Sequence, residues 1–208
     1  MRTRLRGVFH LLAAIISPIP TLALLGRAGS STARVSVLIY GAGFTLCVLL
    51  SGIYHRFTRS ERSQKVMQIL DHSGIFLLVA GTYTPLLLLA TPPSTKYWAV
   101  TGVWLCAGVG VLLRGLRRAP RFVLASYLIL GWMALPLLPL LDPRTGTLVI
   151  GLLLAGGVVY TLGAVLFLRR LPRLRSEIFG FHEVWHLLTL SAASAHFLAV
   201  WVLVTRLS

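Results

Sequence analysis

Seven apolar runs, separated by short stretches rich in arginine, proline and glycine, decide what this chain can fold into. An α-helix crosses the hydrocarbon core of a bilayer in about 17 to 25 residues. Runs of that kind lie at roughly 7–25, 35–55, 68–90, 97–113, 122–141, 147–168 and 181–204. The sequence is 56% apolar and only 12% charged, where a soluble domain is about half apolar and about a quarter charged. The expected fold is therefore all-α, a polytopic seven-transmembrane-helix bundle. The breakers fall between the runs, in GRAGSSTAR, TPPSTK, DPRTG and RRLPRLRSE. Residues 1–208 read as a single domain, and no internal repeat argues for a transporter of inverted halves.

The basic residues set the expected orientation. Arg2, Arg4, Arg6, Arg56, Arg59, Arg62, Lys65, Arg114, Arg117, Arg118, Arg121, Arg169, Arg170, Arg173 and Arg175 fall on one side of the alternating runs. Arg27, Arg34, Lys96, Arg144 and Arg206 fall on the other. Fifteen against five, with every loop agreeing, places the N-terminus in the cytoplasm and the C-terminus outside. The net charge of +15 would suggest nucleic acid in a soluble protein, but charges confined to loops between spans are topological. The predominance of arginine over lysine points to a GC-rich bacterial genome, and the expected location is the bacterial cytoplasmic membrane. MRTRLRG and the run after it resemble a signal peptide, yet the run is long and holds His10, Pro18 and Pro20, so it is expected to stay as a span. Cys47 and Cys106 each sit inside an apolar run; they make neither a disulfide framework nor a cysteine zinc site.

Ionisable groups inside spans are costly, by about 2.5–3.5 kcal/mol for Asp at a helix centre, and each calls for a reason. Here they collect at one depth. His55 closes the second run with Ser51 one turn deeper; Asp71 and His72 open the third; His182, Glu183 and His186 open the seventh. His182 and His186 are four apart, so on a helix they share a face with β-carbons about 5–6 Å apart. Two ligands are too few for a tight zinc site, which usually takes three protein ligands plus water. His55 is the obvious third. Asp71 at the same level could orient or deprotonate a water activated by the metal, and Ser51 could bond that water or a developing oxyanion.

The segments SGIYH at 51–55, DHSGIFLLVAGTYTP at 71–85 and FGFHEVWHLLTLSAASAHF at 179–197 resemble the signatures of the hemolysin III family. That family is the bacterial branch of the progestin and adipoQ receptor proteins, within the superfamily that includes alkaline ceramidases. The resemblance spans nearly the whole chain. It implies seven spans with the N-terminus inside, zinc ligands at His55, His182 and His186, and Asp71 and Ser51 beside the ion on the water side.

Each residue also has a plainer role. His-Glu-x-x-His on a soluble helix is a metalloprotease pattern, but here it begins a transmembrane helix, and Glu183 in a first turn favours the helix dipole. Asp71 can cap the third span, and Ser51 can bond back to its own helix. His196 lies about 15 Å deeper than His186, out of reach of the site, where a buried interhelical hydrogen bond is expected. His72 is expected to hydrogen-bond near the interface, and nothing in the sequence aims His10 at the site. Pro85, Pro136 and Pro139 are expected kinks. Gly41, Gly43, Gly156 and Gly157 suggest close helix packing.

Three functions remain open on the sequence. A zinc site with water and a carboxylate at the cytoplasmic interface suits hydrolysis of a lipid amide or ester, and the ceramidase kinship implied by the resemblance favours an amide-bearing lipid. Alternatively the zinc is structural and the protein senses or adjusts membrane composition or fluidity. A cytolysin or pore former, the family's namesake activity, finds no continuous polar face through the spans. Zinc transport lacks a second polar site across the bilayer.

Overall fold

The computed structural model describes residues 3–116, 120–174 and 177–208, so Arg2, Arg117, Arg118 and Arg175 of the topology count lie outside the described residues. The architecture is a seven-helix bundle. Among the described residues six helical segments are long and apolar enough to cross a membrane, and the shorter apolar segment Ala125–Leu140 completes the set.

The first run is broken into α1 (Val8–Ile16) and α2 (Pro18–Leu25). Pro18 has no N–H with which to continue the ladder. Ser17 at the break donates its own N–H to the Ala13 carbonyl at 2.8 Å, and its hydroxyl meets the Thr45 hydroxyl at 2.8 Å. The second and third runs form α3 (Ser31–Phe57) and α4 (Glu61–Ala90). α4 begins well before its apolar run, with Ser60 accepting the Ser63 N–H at 3.2 Å. Ser60 is thus the cap, and the capping role weighed for Asp71 does not hold: Asp71 lies well inside α4, not at its start. Pro85 does not end α4. Beside it the Thr82 and Thr84 hydroxyls donate to the Leu78 and Ala80 carbonyls at 2.8 Å each, which satisfies those hydroxyls away from water.

The fourth run is α5 (Pro93–Gly115). The fifth departs from the expected continuous helix: α6 (Pro120–Trp132) gives way to a 3-10 helix over Leu135–Leu140. Pro136 and Pro139 therefore end the α-helix instead of kinking it, because each removes a donor and crowds the carbonyl four residues back. α7 (Gly146–Leu168) and α8 (Phe181–Leu207) complete the bundle.

Small residues bring the helices close. A β-carbon on Gly43 would stand 2.9 Å from the Leu77 carbonyl oxygen, and one on Gly74 would stand 3.0 Å from the Cys47 Cα. α3 and α4 consequently pack backbone against backbone, which holds their ends in fixed relation. On α7, a β-carbon on Gly156 would meet the Ala192 carbonyl at 3.1 Å and the His196 ring. Phe76, Tyr83, Leu87, Val103 and Leu203 form the core between these pairs. Ile15, Ile19, Leu105 and Ile129 point outward and are exposed, as lipid-facing residues of a membrane bundle must be. At the end of the bundle away from the arginine-rich loops, Asp142 pairs with Arg144 at 2.7 Å.

Candidate metal centre

Two helix ends and the flank of a third helix converge at the arginine-rich end. α3 delivers His55 in its last turn, α8 delivers His182 and His186 from its first two, and α4 passes Asp71 beside them. His55, His182 and His186 each offer one ligand atom, and these atoms all lie within 4.8 Å of one another. His182 Nε2 stands 3.1 Å from His55 Nε2. The His55–His186 and His182–His186 ring centroids are 5.0 and 4.6 Å apart.

Three nitrogens at 2.0–2.1 Å from one ion and at tetrahedral angles stand roughly 3.3 Å apart, so the existing separations need only modest side-chain rotation to fit. His186 Nδ1 is buried without a hydrogen-bond partner, which leaves a donor atom of the cluster unclaimed. An all-imidazole set suits zinc, copper, iron or nickel. The trio therefore fits a metal ion, and geometry alone does not choose which.

Asp71, Ser51 and His72 lie alongside. Asp71 Oδ2 is 4.0 Å from His55 Nε2 and 4.0 Å from His72 Nε2. The buried Ser51 hydroxyl, one turn below His55, faces the Asp71 carboxyl group. The expected set of five thus comes together, with Asp71 too far from His55 to be its tight hydrogen-bond partner and close enough to reach a small molecule between them.

Glu183 has a different job from the protease base. It is almost fully buried, accepts the Gly180 N–H at 2.7 Å through Oε2, and accepts the Thr3 hydroxyl through Oε1. Gly180 is the N-cap of α8 and has no side chain to return the bond, so Glu183 supplies half of a capping box. The other oxygen latches the N-terminal segment, which runs across the site: Arg4 N–H donates to the Glu177 carbonyl (2.9 Å), and Leu5 N–H to that of Ile178 (3.2 Å). Arg56 donates to the Arg4 carbonyl at 3.0 Å, and Arg6 Nη2 approaches His182 Nδ1 at 3.3 Å.

His10 is the residue that sequence reasoning missed. It is buried, its ring lies against that of His186 with centroids 3.9 Å apart and the planes tilted by 31°, and its Nε2 meets the Thr189 hydroxyl at 3.3 Å. A signal existed in two glycines. Gly7, at φ 80°, leaves no room for a β-carbon beside that of His55, and Gly52 leaves none beside Leu11. Each glycine lies three residues before a histidine, and together they let α1 lie directly on α3. His196 stays out of the site as expected, with Nε2 at 3.2 Å from the Leu153 carbonyl on α7. His72 takes the Tyr127 hydroxyl on its carbonyl at 3.1 Å.

Beneath the histidines an interhelical cavity of about 90 Å3 opens between α4, α6, α7 and α8. Tyr127, Leu128 and Thr189 line it toward the site, and Leu86, Leu138 and His196 line it deeper. Thr189, one turn beyond His186, joins the two: its hydroxyl meets His10 and donates to the His186 carbonyl at 2.8 Å.

The family model described as haemolysin-III related matches residues 2–197. The Hemolysin-3 protein of Bacillus cereus is 35% identical over 203 residues, covering 93% of this chain and 88% of that protein. The Hemolysin-3 homolog of Bacillus subtilis is 30% identical over 203 residues, covering 93% of this chain and 90% of that protein. A plant protein named heptahelical transmembrane protein ADIPOR2, from Oryza sativa subsp. japonica, is 28% identical over 193 residues and covers 84% of each chain.

Proposed function

We propose that this chain, which belongs to the haemolysin-III related family, binds zinc through His55, His182 and His186 and hydrolyses a lipid amide or ester, ceramidase-like, at the cytoplasmic leaflet of a bacterial inner membrane. The observation that carries this reading is the placement of a three-histidine cluster and a buried carboxylate directly above an apolar interhelical cavity. A structural zinc would need neither the carboxylate nor the cavity.

The division of labour follows from the geometry. Zinc, when bound, supplies Lewis acidity toward a carbonyl oxygen and lowers the pKa of water. His55, His182 and His186 hold it. Asp71, 4.0 Å from His55 Nε2, takes a proton from water positioned between them and returns it to the leaving nitrogen or oxygen. Ser51 faces Asp71 from one turn below His55 and orients the carboxylate for that exchange. His10 lies against His186 and keeps its ring from turning away. The segment Thr3–Gly7 covers the site on the side away from the cavity and limits entry of bulk water. The apolar cavity receives the alkyl part of the substrate, leaving its polar bond at the level of the histidines.

The test is turnover of long-chain N-acyl amides by the zinc-loaded protein in detergent, beside Asp71→Asn. Loss of turnover in a variant that keeps fold and metal supports the reading. Absence of turnover by a zinc-loaded wild type across lipid amides and esters would leave zinc as a brace between α3 and α8, in which case removing any one histidine destabilises the fold while Asp71→Asn does not.

A further inference from the structure

The strap over the histidines, residues 3–7, is tied to three parts of the bundle. Arg4 and Leu5 donate their backbone N–H groups to the Glu177 and Ile178 carbonyls in the loop before α8. The Arg4 carbonyl accepts from the Arg56 side chain on α3, and the Thr3 hydroxyl donates to Glu183 on α8. Gly7, at φ 80°, lies so close to His55 and Gly52 that a β-carbon would not fit. Between these ties stands Arg6. Its Nη2 lies 3.3 Å from His182 Nδ1, and its Nε is buried.

The polarity of that contact conflicts with metal binding. A guanidinium has donors only, so His182 Nδ1 is the acceptor. A neutral imidazole that accepts at Nδ1 carries its proton on Nε2. His182 Nε2 stands 3.1 Å from His55 Nε2, so that proton is placed for donation to His55. The bonds thus run one way, from Arg6 through His182 to His55. An ion held by the three histidines needs the reverse. If His182 ligates through Nε2, its proton sits on Nδ1 and points at a group that cannot accept it. If His182 ligates through Nδ1, the ion takes the atom on which Arg6 donates. Either way Arg6 must leave, and the positive charge of the ion drives it the same way.

We propose that Arg6 and a metal ion compete for His182, and that the strap carrying Arg6 closes over the metal-free site and loosens when the ion binds. Leu5 and Gly7 are held on either side of Arg6, so withdrawing the buried guanidinium strains both ties. Metal occupancy is thereby transmitted to the N-terminal segment at the arginine-rich end. The coupling is reciprocal: the factor by which Arg6 weakens the ion is the factor by which the ion weakens closure. One hydrogen bond from a charged donor corresponds to about tenfold or more. A loosened strap also admits water to the ion, the reactant that the proposed hydrolysis consumes. The competition rests on metal binding by His55, His182 and His186 as proposed above, and not on any cleavage.

The experiment measures hydrogen–deuterium exchange of the N-terminal peptide, which contains the Arg4 and Leu5 amides, in the purified full chain in a neutral detergent. Each protein is measured with zinc bound and after its removal by chelator, with zinc content determined in parallel. Wild type should exchange these amides about tenfold faster with zinc bound. Arg6→Gln should exchange them at one rate in both conditions, because a glutamine amide can donate to Nδ1 or accept from it. Arg6→Lys, a cation with donors only, should keep the difference. Exchange in α5, away from the site, reports that each variant is folded. Wild-type amides that exchange equally or more slowly with zinc bound, or a zinc effect that survives Arg6→Gln, overturn the proposal; should the Gln variant not fold, the sign of the zinc effect in wild type decides. If zinc binds and the strap does not respond, this proposal falls and the metal reading stands. If neither wild type nor variant takes up zinc, both fall. Turnover plays no part in the readout, so failure of the hydrolase reading leaves the competition standing.

Discussion

Replacing Glu183 separates the protease reading of His-Glu-x-x-His from the role the fold gives that glutamate. Glu183 accepts two hydrogen bonds, from the Gly180 N–H and the Thr3 hydroxyl, in an almost water-free setting. A hydrogen bond to a charged group contributes about 1.5–3 kcal/mol. Glu183→Ala removes both, strands the Gly180 N–H and frees the N-terminal segment, and should cost on the order of 3–5 kcal/mol. Glu183→Gln keeps an oxygen for Gly180 and turns an amide N–H toward Thr3, whose hydroxyl can rotate to accept. Only the charged character of the bonds is lost, so about 1–2 kcal/mol is expected. Thermal unfolding in detergent should rank wild type above Gln and Gln well above Ala. A double-mutant cycle with Thr3→Val should show coupling of about 1–3 kcal/mol. Metal content and any turnover should persist in the Gln variant. If Glu183→Gln abolishes turnover while fold and metal remain, or if Glu183→Ala is as stable as wild type, the latch is refuted.

Three further outcomes follow from the same structure. Gly43→Val should destabilise by about 2 kcal/mol or more, since its side chain must enter the space of the Leu77 carbonyl; Gly151→Ala, with nothing within 4 Å, should be neutral or stabilising by up to about 1 kcal/mol, and equal melting temperatures for the two would contradict the packing account. Arg6 donates to His182 Nδ1, but a neutral imidazole that gives Nε2 to a metal carries its proton on Nδ1, so Arg6→Gln should tighten metal binding by roughly tenfold in chelator competition. Unchanged or weaker affinity would show that the Arg6 contact does not oppose the metal. Ligating imidazoles must be neutral, so metal occupancy at fixed free zinc should fall on acidification and recover on return to neutral pH; occupancy that rises on acidification would contradict an all-histidine ligand set.

Depth along the membrane was legible in the sequence, and direction around each helix was not. Seven apolar runs sufficed for the architecture, because span length and loop breakers are local properties. The level at which His55, Asp71, His182 and His186 meet could be counted from the ends of those runs, and the four-residue spacing of the α8 pair fixes a shared face. His10 sits at the same level, but whether it faces His186 depends on how α1 lies against α3. That is decided by Gly7 and Gly52, contacts of long range in sequence. Arg114 reads as one more loop arginine until packing buries it. Glu183 reads as a helix-dipole acid because its partner Thr3 lies 180 residues away. The proline errors have a local cause: Pro136 and Pro139, three apart, convert the helix to a 3-10 turn where either alone would bend it, and α4 starts early because the Ser60 cap precedes a polar turn that hydropathy ignores.

The most direct test of the account is the metal content of the purified protein in detergent, wild type beside His186→Ala, determined by elemental analysis. The account predicts about one equivalent of zinc in wild type, absent from His186→Ala at unchanged elution volume. A well-folded wild type that holds no metal, even after zinc is added back, would contradict it.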